Sequence, residues 1–73
     1  MGITTVLNNG IPWVICSPSD AGDLDRFLAA SGFPEGQLTT RAATPQEVSR
    51  WRAAVALHIR DGGNADSFFG IPA

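Results

Sequence analysis

With 73 residues and a formal charge of −2, the chain has room for one small domain. It has no lysine and no tyrosine, and only one histidine and one cysteine, which excludes a lysine-dependent phosphate loop and Schiff-base catalysis. Cys16 alone forms no intramolecular disulfide, and Cys16 with His58 falls short of a tetrahedral zinc ligand set.

The charge is divided along the chain. Residues 20–35 carry Asp20, Asp23, Asp25 and Glu35 against Arg26 alone, whereas residues 41–60 carry Arg41, Arg50, Arg52 and Arg60 against Glu47. A nucleic-acid footprint makes a whole domain basic, so nucleic acid is not the expected partner. A domain of this size withdraws only about 60% of its unfolded-chain surface from water. One core then supplies about 3–5 kcal/mol. Without a disulfide or a metal, burial against another protein or another copy of itself is expected.

The opening residues, Met1-Gly2-Ile3-Thr4-Thr5, have neither the basic region nor the long apolar run of a signal peptide. Ile11 to Cys16 is too short to span a bilayer. An unpaired thiol adds to the expectation of a reducing, cytoplasmic location.

Thr4 to Leu7 and Ile11 to Cys16 flank Asn9-Gly10, a strong hairpin signal because both turn residues tolerate positive φ. An uninterrupted ladder from that turn sets Val6 opposite Trp13 and Thr4 opposite Ile15. Pro12, which has no N–H to donate, belongs at a strand start or a bulge. Ser17-Pro18-Ser19-Asp20 then predicts a helix over about 18–31, with Ser17 as cap and Asp20 as the capping-box acid. Ala21, Leu24, Phe27, Leu28 and Ser31 fall on one side of it. Gly32 ends it, and Phe33 is placed to fold back on Leu28.

Gln37 to Ala43 reads as a third strand, since Leu38, Thr40 and Ala42 alternate with Thr39 and Arg41. Thr44-Pro45-Gln46-Glu47 is a full capping box that opens a helix running to about Asp61, before Gly62-Gly63. Val48, Trp51, Val55 and Ile59 line one side of this helix, with Ala54 and His58 on its flank and Leu57 opposite. The stretch 64–73 packs Phe68, Phe69 and Ile71 between glycines and Pro72. It is expected as a tail that either folds back over the sheet or docks on a neighbour.

The expected fold is a small α+β domain over 1–63, in the order ββαβα: a single layer of sheet covered by two helices, followed by an extended apolar docking tail over 64–73. A right-handed crossover through the first helix lays the third strand parallel to the second, and both helices are then able to share one sheet face.

Each chemically suggestive group has a structural explanation. Cys16 lies mid-strand, where a buried thiol is inert, and His58 reads as a boundary residue. Asp20, Asp23 and Asp25 point in different directions in the first turns of a helix, where capping and the helix dipole account for them. Val48-Ser49-Arg50-Trp51-Arg52 resembles the recognition helix of phage-repressor-like helix-turn-helix proteins. That resemblance implies a DNA-binding regulator using the 45–61 helix, but it also demands a helix over 34–43, against Gly36 and two threonines.

The reading is therefore a non-catalytic protein-binding module with no cofactor, no metal and no membrane contact. Trp13, Phe68, Phe69 and Ile71 are its candidate contacts, and Asp20, Asp23 and Asp25 steer a basic partner. Short acidic chains of this kind are frequent among phage and mobile-element accessory proteins, as assembly subunits or as inhibitors of a host protein complex.

Overall fold

The computed structural model describes residues 2–64 and 68–73. It is an α+β domain in the order β1 (Thr4–Asn8), β2 (Ile11–Cys16), α1 (Ala21–Ala30), β3 (Leu38–Ala42), α2 (Pro45–Arg60) and β4 (Gly70–Pro72). The four strands form one open sheet in the order β3-β1-β2-β4, and every neighbouring pair is antiparallel. β3 does run in the direction of β2, as the crossover requires, but it pairs with β1 and lies on the far side of it.

The hairpin turns at Asn9 and Gly10, with φ of 53° and 82°. Both are in the left-handed region that a two-residue hairpin demands. Asn8 faces Ile11 and Leu7 faces Pro12, as an uninterrupted ladder predicts. Beyond that the register departs from expectation. Val6 pairs with Val14, Thr5 with Ile15 and Thr4 with Cys16, which leaves Trp13 as an extra residue in a β-bulge next to Pro12. A regular strand would send Trp13 and Val14 to opposite faces. With the bulge, both side chains pack against the same core cluster, alongside Val6, Cys16 and Leu24.

Helix α1 starts later than the sequence pattern suggests. Its N-cap is Asp20, whose Oδ1 accepts from the Asp23 N–H at 2.7 Å, while Asp23 Oδ2 accepts from the Ser19 N–H at 3.0 Å. Pro18 lies outside the helix and is fully buried. Gly32, with φ of 80°, turns the chain away. Phe33 then meets Trp13 edge-on, at 5.2 Å between ring centroids.

Helix α2 has the expected capping box. The Thr44 side chain accepts from the Glu47 N–H at 3.2 Å, and the Glu47 carboxylate accepts from the Thr44 N–H at 2.8 Å. Residues 34–43 hold a turn and β3. The helix that a helix-turn-helix needs before α2 is therefore not there.

The two helices do not share a face. Val6 packs against α1 through Leu24, whereas the next-door Thr5 donates from Oγ1 to Glu47 Oε1 of α2 at 2.9 Å. Adjacent strand residues point to opposite faces, so α1 covers one side of the sheet and α2 the other. The Phe pair ahead of β4 is split as well: Phe69 joins Trp13 and Phe27 on the α1 side, and Phe68 lies against Trp51 and His58 on the α2 side.

Two thin cores result. Among the described residues of the strands and helices, the buried apolar side chains are Val6, Cys16 and Leu24 on the α1 side and Ile15 on the other, and α2 buries none of its own.

Candidate functional site

The residues expected at a partner surface fall into two groups. Trp13, Phe68, Phe69 and Ile71 converge at the β4 edge of the sheet, where with Phe27 and Pro72 they line an open cleft of about 500 Å³. Its floor is an aromatic cluster. Trp13 stacks on Phe27 at 6.0 Å with planes 23° apart, and Phe27 meets Phe69 at 5.0 Å. All four expected contact residues are half-buried. Part of each side chain is held in the fold and part is exposed at the cleft.

β4 reaches this position by joining the sheet. The Ser17 N–H donates to Phe69 C=O and the Ala73 N–H donates to Trp13 C=O, both at 3.0 Å, while Ile71 faces Ile15 between them. Gly70 is required by close approach: a Cβ there would lie 2.6 Å from the Ile15 carbonyl oxygen and 3.0 Å from Cys16 Cβ. Of the stretch expected as a tail, 65–67 lie outside the described residues, and 70–72 are a strand.

The three aspartates do not act together. Asp20 caps α1, and Asp23 braces the same turn and lies 3.5 Å from Arg26 at the surface. A surface pair of that kind contributes about 0–1 kcal/mol. Asp25 is apart from them and, with Glu35, lines a second cavity of about 450 Å³ between the α1–β3 turn and Leu38, at the opposite edge of the sheet from β4.

Cys16 and His58 cannot form a nucleophile–base pair, because the sheet separates them. Cys16 packs with Val6 and Leu24 on the α1 side, and His58 sits on α2 against Phe68. Burial, reinforced by the nearby Asp23 charge, pushes the Cys16 thiol up to about 11. His58 instead closes the end of α2, its Nε2 3.1 Å from the Asn64 carbonyl oxygen. A Cβ on Gly63 would overlap its ring. Among the described residues, no group of three or more His, Cys, Asp and Glu side chains is placed to hold a metal ion. No described helix is long and apolar enough to cross a membrane.

One polar centre was not legible in the sequence. Glu47 accepts from Arg41 Nη1 at 2.6 Å and Nη2 at 3.2 Å, from Thr5 Oγ1 and from the Thr44 N–H. The bidentate Arg41 contact, with the Thr44 and Thr5 bonds, holds the carboxyl down at about 2. The Glu47 side chain is 12% exposed. This single carboxylate ties β1, β3 and the start of α2 together. Its role in the capping box was readable from Thr44-Pro45-Gln46-Glu47, but its contact with Arg41 depends on where β3 lies.

The chain matches no family model, no curated protein and no solved structure. The functional reading therefore rests on the geometry.

Proposed function

We propose that this protein is a non-catalytic protein-binding module that seats an apolar segment of another protein in the Trp13–Phe27–Phe69 cleft, and that it works as an assembly subunit or an inhibitor rather than as an enzyme. The observation that supports this is the open cleft at the β4 edge, where the Trp13, Phe27 and Phe69 rings of the α1 side meet β4, and Phe68 and Ile71 border the same opening from the α2 side. Large rigid side chains of this kind gain the most from excluding water and lose the least conformational freedom on binding. Chemistry has far less support. Cys16 is sealed and protonated, Asp20 is engaged in capping, and Glu47 is engaged with Arg41.

A photo-crosslinking side chain installed at Pro72, which is exposed beside the cleft, tests the proposal in extracts of the native host. One discrete adduct that excess unmodified protein competes away is the expected result. The same side chain at Arg52, on the outer surface of α2, should not give it. If position 72 yields no discrete adduct, or the same products as position 52, the reading is wrong.

A further inference from the structure

The two edges of the sheet differ, and the difference has a consequence for assembly. On β4, residues 69, 71 and 73 turn their backbone groups toward β2, so Gly70 and Pro72 turn theirs outward. Pro72 has no N–H to offer, and its carbonyl lies 3.4 Å from Arg50 Nη2. Proline at an edge, with its nitrogen outward, blocks further pairing.

β3 has no such protection. The Ala43 N–H donates to Ile3 C=O at 3.1 Å, and the Asn9 N–H donates to Gln37 C=O at 3.0 Å. The register places Arg41 opposite Thr5 and Thr39 opposite Leu7. Residues 37, 39, 41 and 43 therefore bond inward, and Leu38, Thr40 and Ala42 direct their N–H and C=O groups off the sheet. Among the described residues, only the Ala42 carbonyl has a contact, from Arg41 Nη1 at 3.2 Å, and it retains a second lone pair. Thr39, Thr40 and Ala42 are exposed.

We infer that β3 pairs antiparallel with β3 of a second copy about a two-fold axis at Thr40, extending the two four-stranded sheets into one continuous sheet. The register is self-complementary. Leu38 faces the partner's Ala42, Thr40 faces its own equivalent, and all three outward residues are paired. On the opposite face Arg41 meets the partner's Thr39. A two-fold at Arg41 would set two guanidiniums against each other, and one at Thr39 would leave Ala42 outside the ladder.

Charge does not oppose this register. The acidic cavity of Asp25 and Glu35 flanks the Leu38 end of β3, and the two-fold keeps it apart from its equivalent in the second copy. The two Leu38 ends stand four residues apart along the strands, about 14 Å, beyond the ~8 Å screening length at physiological salt. Because Pro72 blunts the other edge, the pairing closes as a dimer and does not run on as a fibre. This goes beyond the proposed cleft function, since the cleft lies at the opposite edge and stays open in the dimer.

Sedimentation of the full chain over a range of concentrations tests the inference, with a mass of twice 7.7 kDa expected at the upper end. Thr40→Pro removes an outward N–H and no bond to β1. It should weaken dimerisation about 10- to 100-fold while leaving the far-ultraviolet circular dichroism unchanged. Thr40→Lys, which opposes like charges across the axis, should act in the same direction without a backbone change, and Thr40→Val should keep the dimer. A wild-type chain that stays monomeric up to millimolar concentration overturns the inference, as does a dimer that survives both Thr40→Pro and Thr40→Lys. A monomer that still gives the position-72 adduct would remove the dimer and leave the cleft reading standing.

Discussion

Glu47 shows how much one side chain can contribute in so small a domain. Its carboxyl is held at about 2 in the folded state, below its ordinary 4.5. As pH falls, the unfolded chain takes up the proton first. The stabilisation is therefore complete above about 4.5 and is lost as pH falls toward about 2. Replacing Glu47 with Gln should cost about 1.5–3 kcal/mol at neutral pH and flatten the acid limb of the stability curve, both measurable by urea unfolding across pH. An unchanged acid limb in Glu47→Gln would mean that another carboxylate governs it. Cys16 gives the complementary case. With full burial and a thiol near 11, it should resist a soluble thiol reagent at pH 8 in the native protein and react at once in denaturant.

The elements differ in how firmly they are held. β1 and β2 supply the most completely enclosed strand residues, Thr5, Val6, Ile15 and Cys16, and lie in the middle of the sheet. β4 has three residues and is admitted only because position 70 lacks a Cβ. Gly70→Val should force β4 off β2 at a cost of about 1–3 kcal/mol. Amide exchange should show lost protection at Ser17 and Ala73, whose N–H groups bond across that junction, while the β1–β2 hairpin stays protected. Protection retained at Ser17 would show that Gly70 is not the point of closest approach. Helix α2 depends on its two ends and on Trp51, whose ring meets Phe68 edge-on at 6.0 Å. Leu57 is 53% exposed, as expected, but Ile59 is 49% exposed and so leaves the packed line expected with Trp51 and Val55, and both contribute little to the fold.

For the whole molecule, placing a helix on each face of a four-stranded sheet divides a small apolar inventory between two cores. The radius of gyration is 12.2 Å, and the longest dimension is 37 Å. A chain of this length packed as a compact globule has a radius nearer 11 Å, so the layers are spread out and not concentrated round one centre. With a total stability of about 3–5 kcal/mol expected, a single loss in the aromatic floor of the cleft is felt globally. Phe27→Ala should remove about 2–4 kcal/mol, because Phe27 touches both Trp13 and Phe69. Leu57→Ala should change the melting temperature hardly at all. Equal effects from the two substitutions would show that the cleft residues are not part of the core.

The features legible in the amino-acid order are those whose causes lie within a few residues. Asn9-Gly10 dictates the hairpin because the left-handed turn is a local requirement. Thr44 and Glu47 dictate the start of α2 because each satisfies the other's backbone N–H, and Gly32 stops α1 for the same kind of reason. Pattern also singled out Trp13, Phe68, Phe69 and Ile71 as large apolar residues in need of cover, and in the fold all four border the cleft at the β4 edge. Contacts across long stretches of chain decided the rest. The bulge at Trp13 shifts half of a ladder that Pro12 only hinted at. The bond from Thr5 to Glu47 spans 42 positions and draws α2 to the face opposite α1. Which sheet edge is blunted by Pro72, and which is left open at Thr40, depends on where each strand lands in the order β3-β1-β2-β4. Local rules select turns and caps because their hydrogen bonds close within one turn of chain. Face, edge and register are chosen by groups that meet only after the chain has folded.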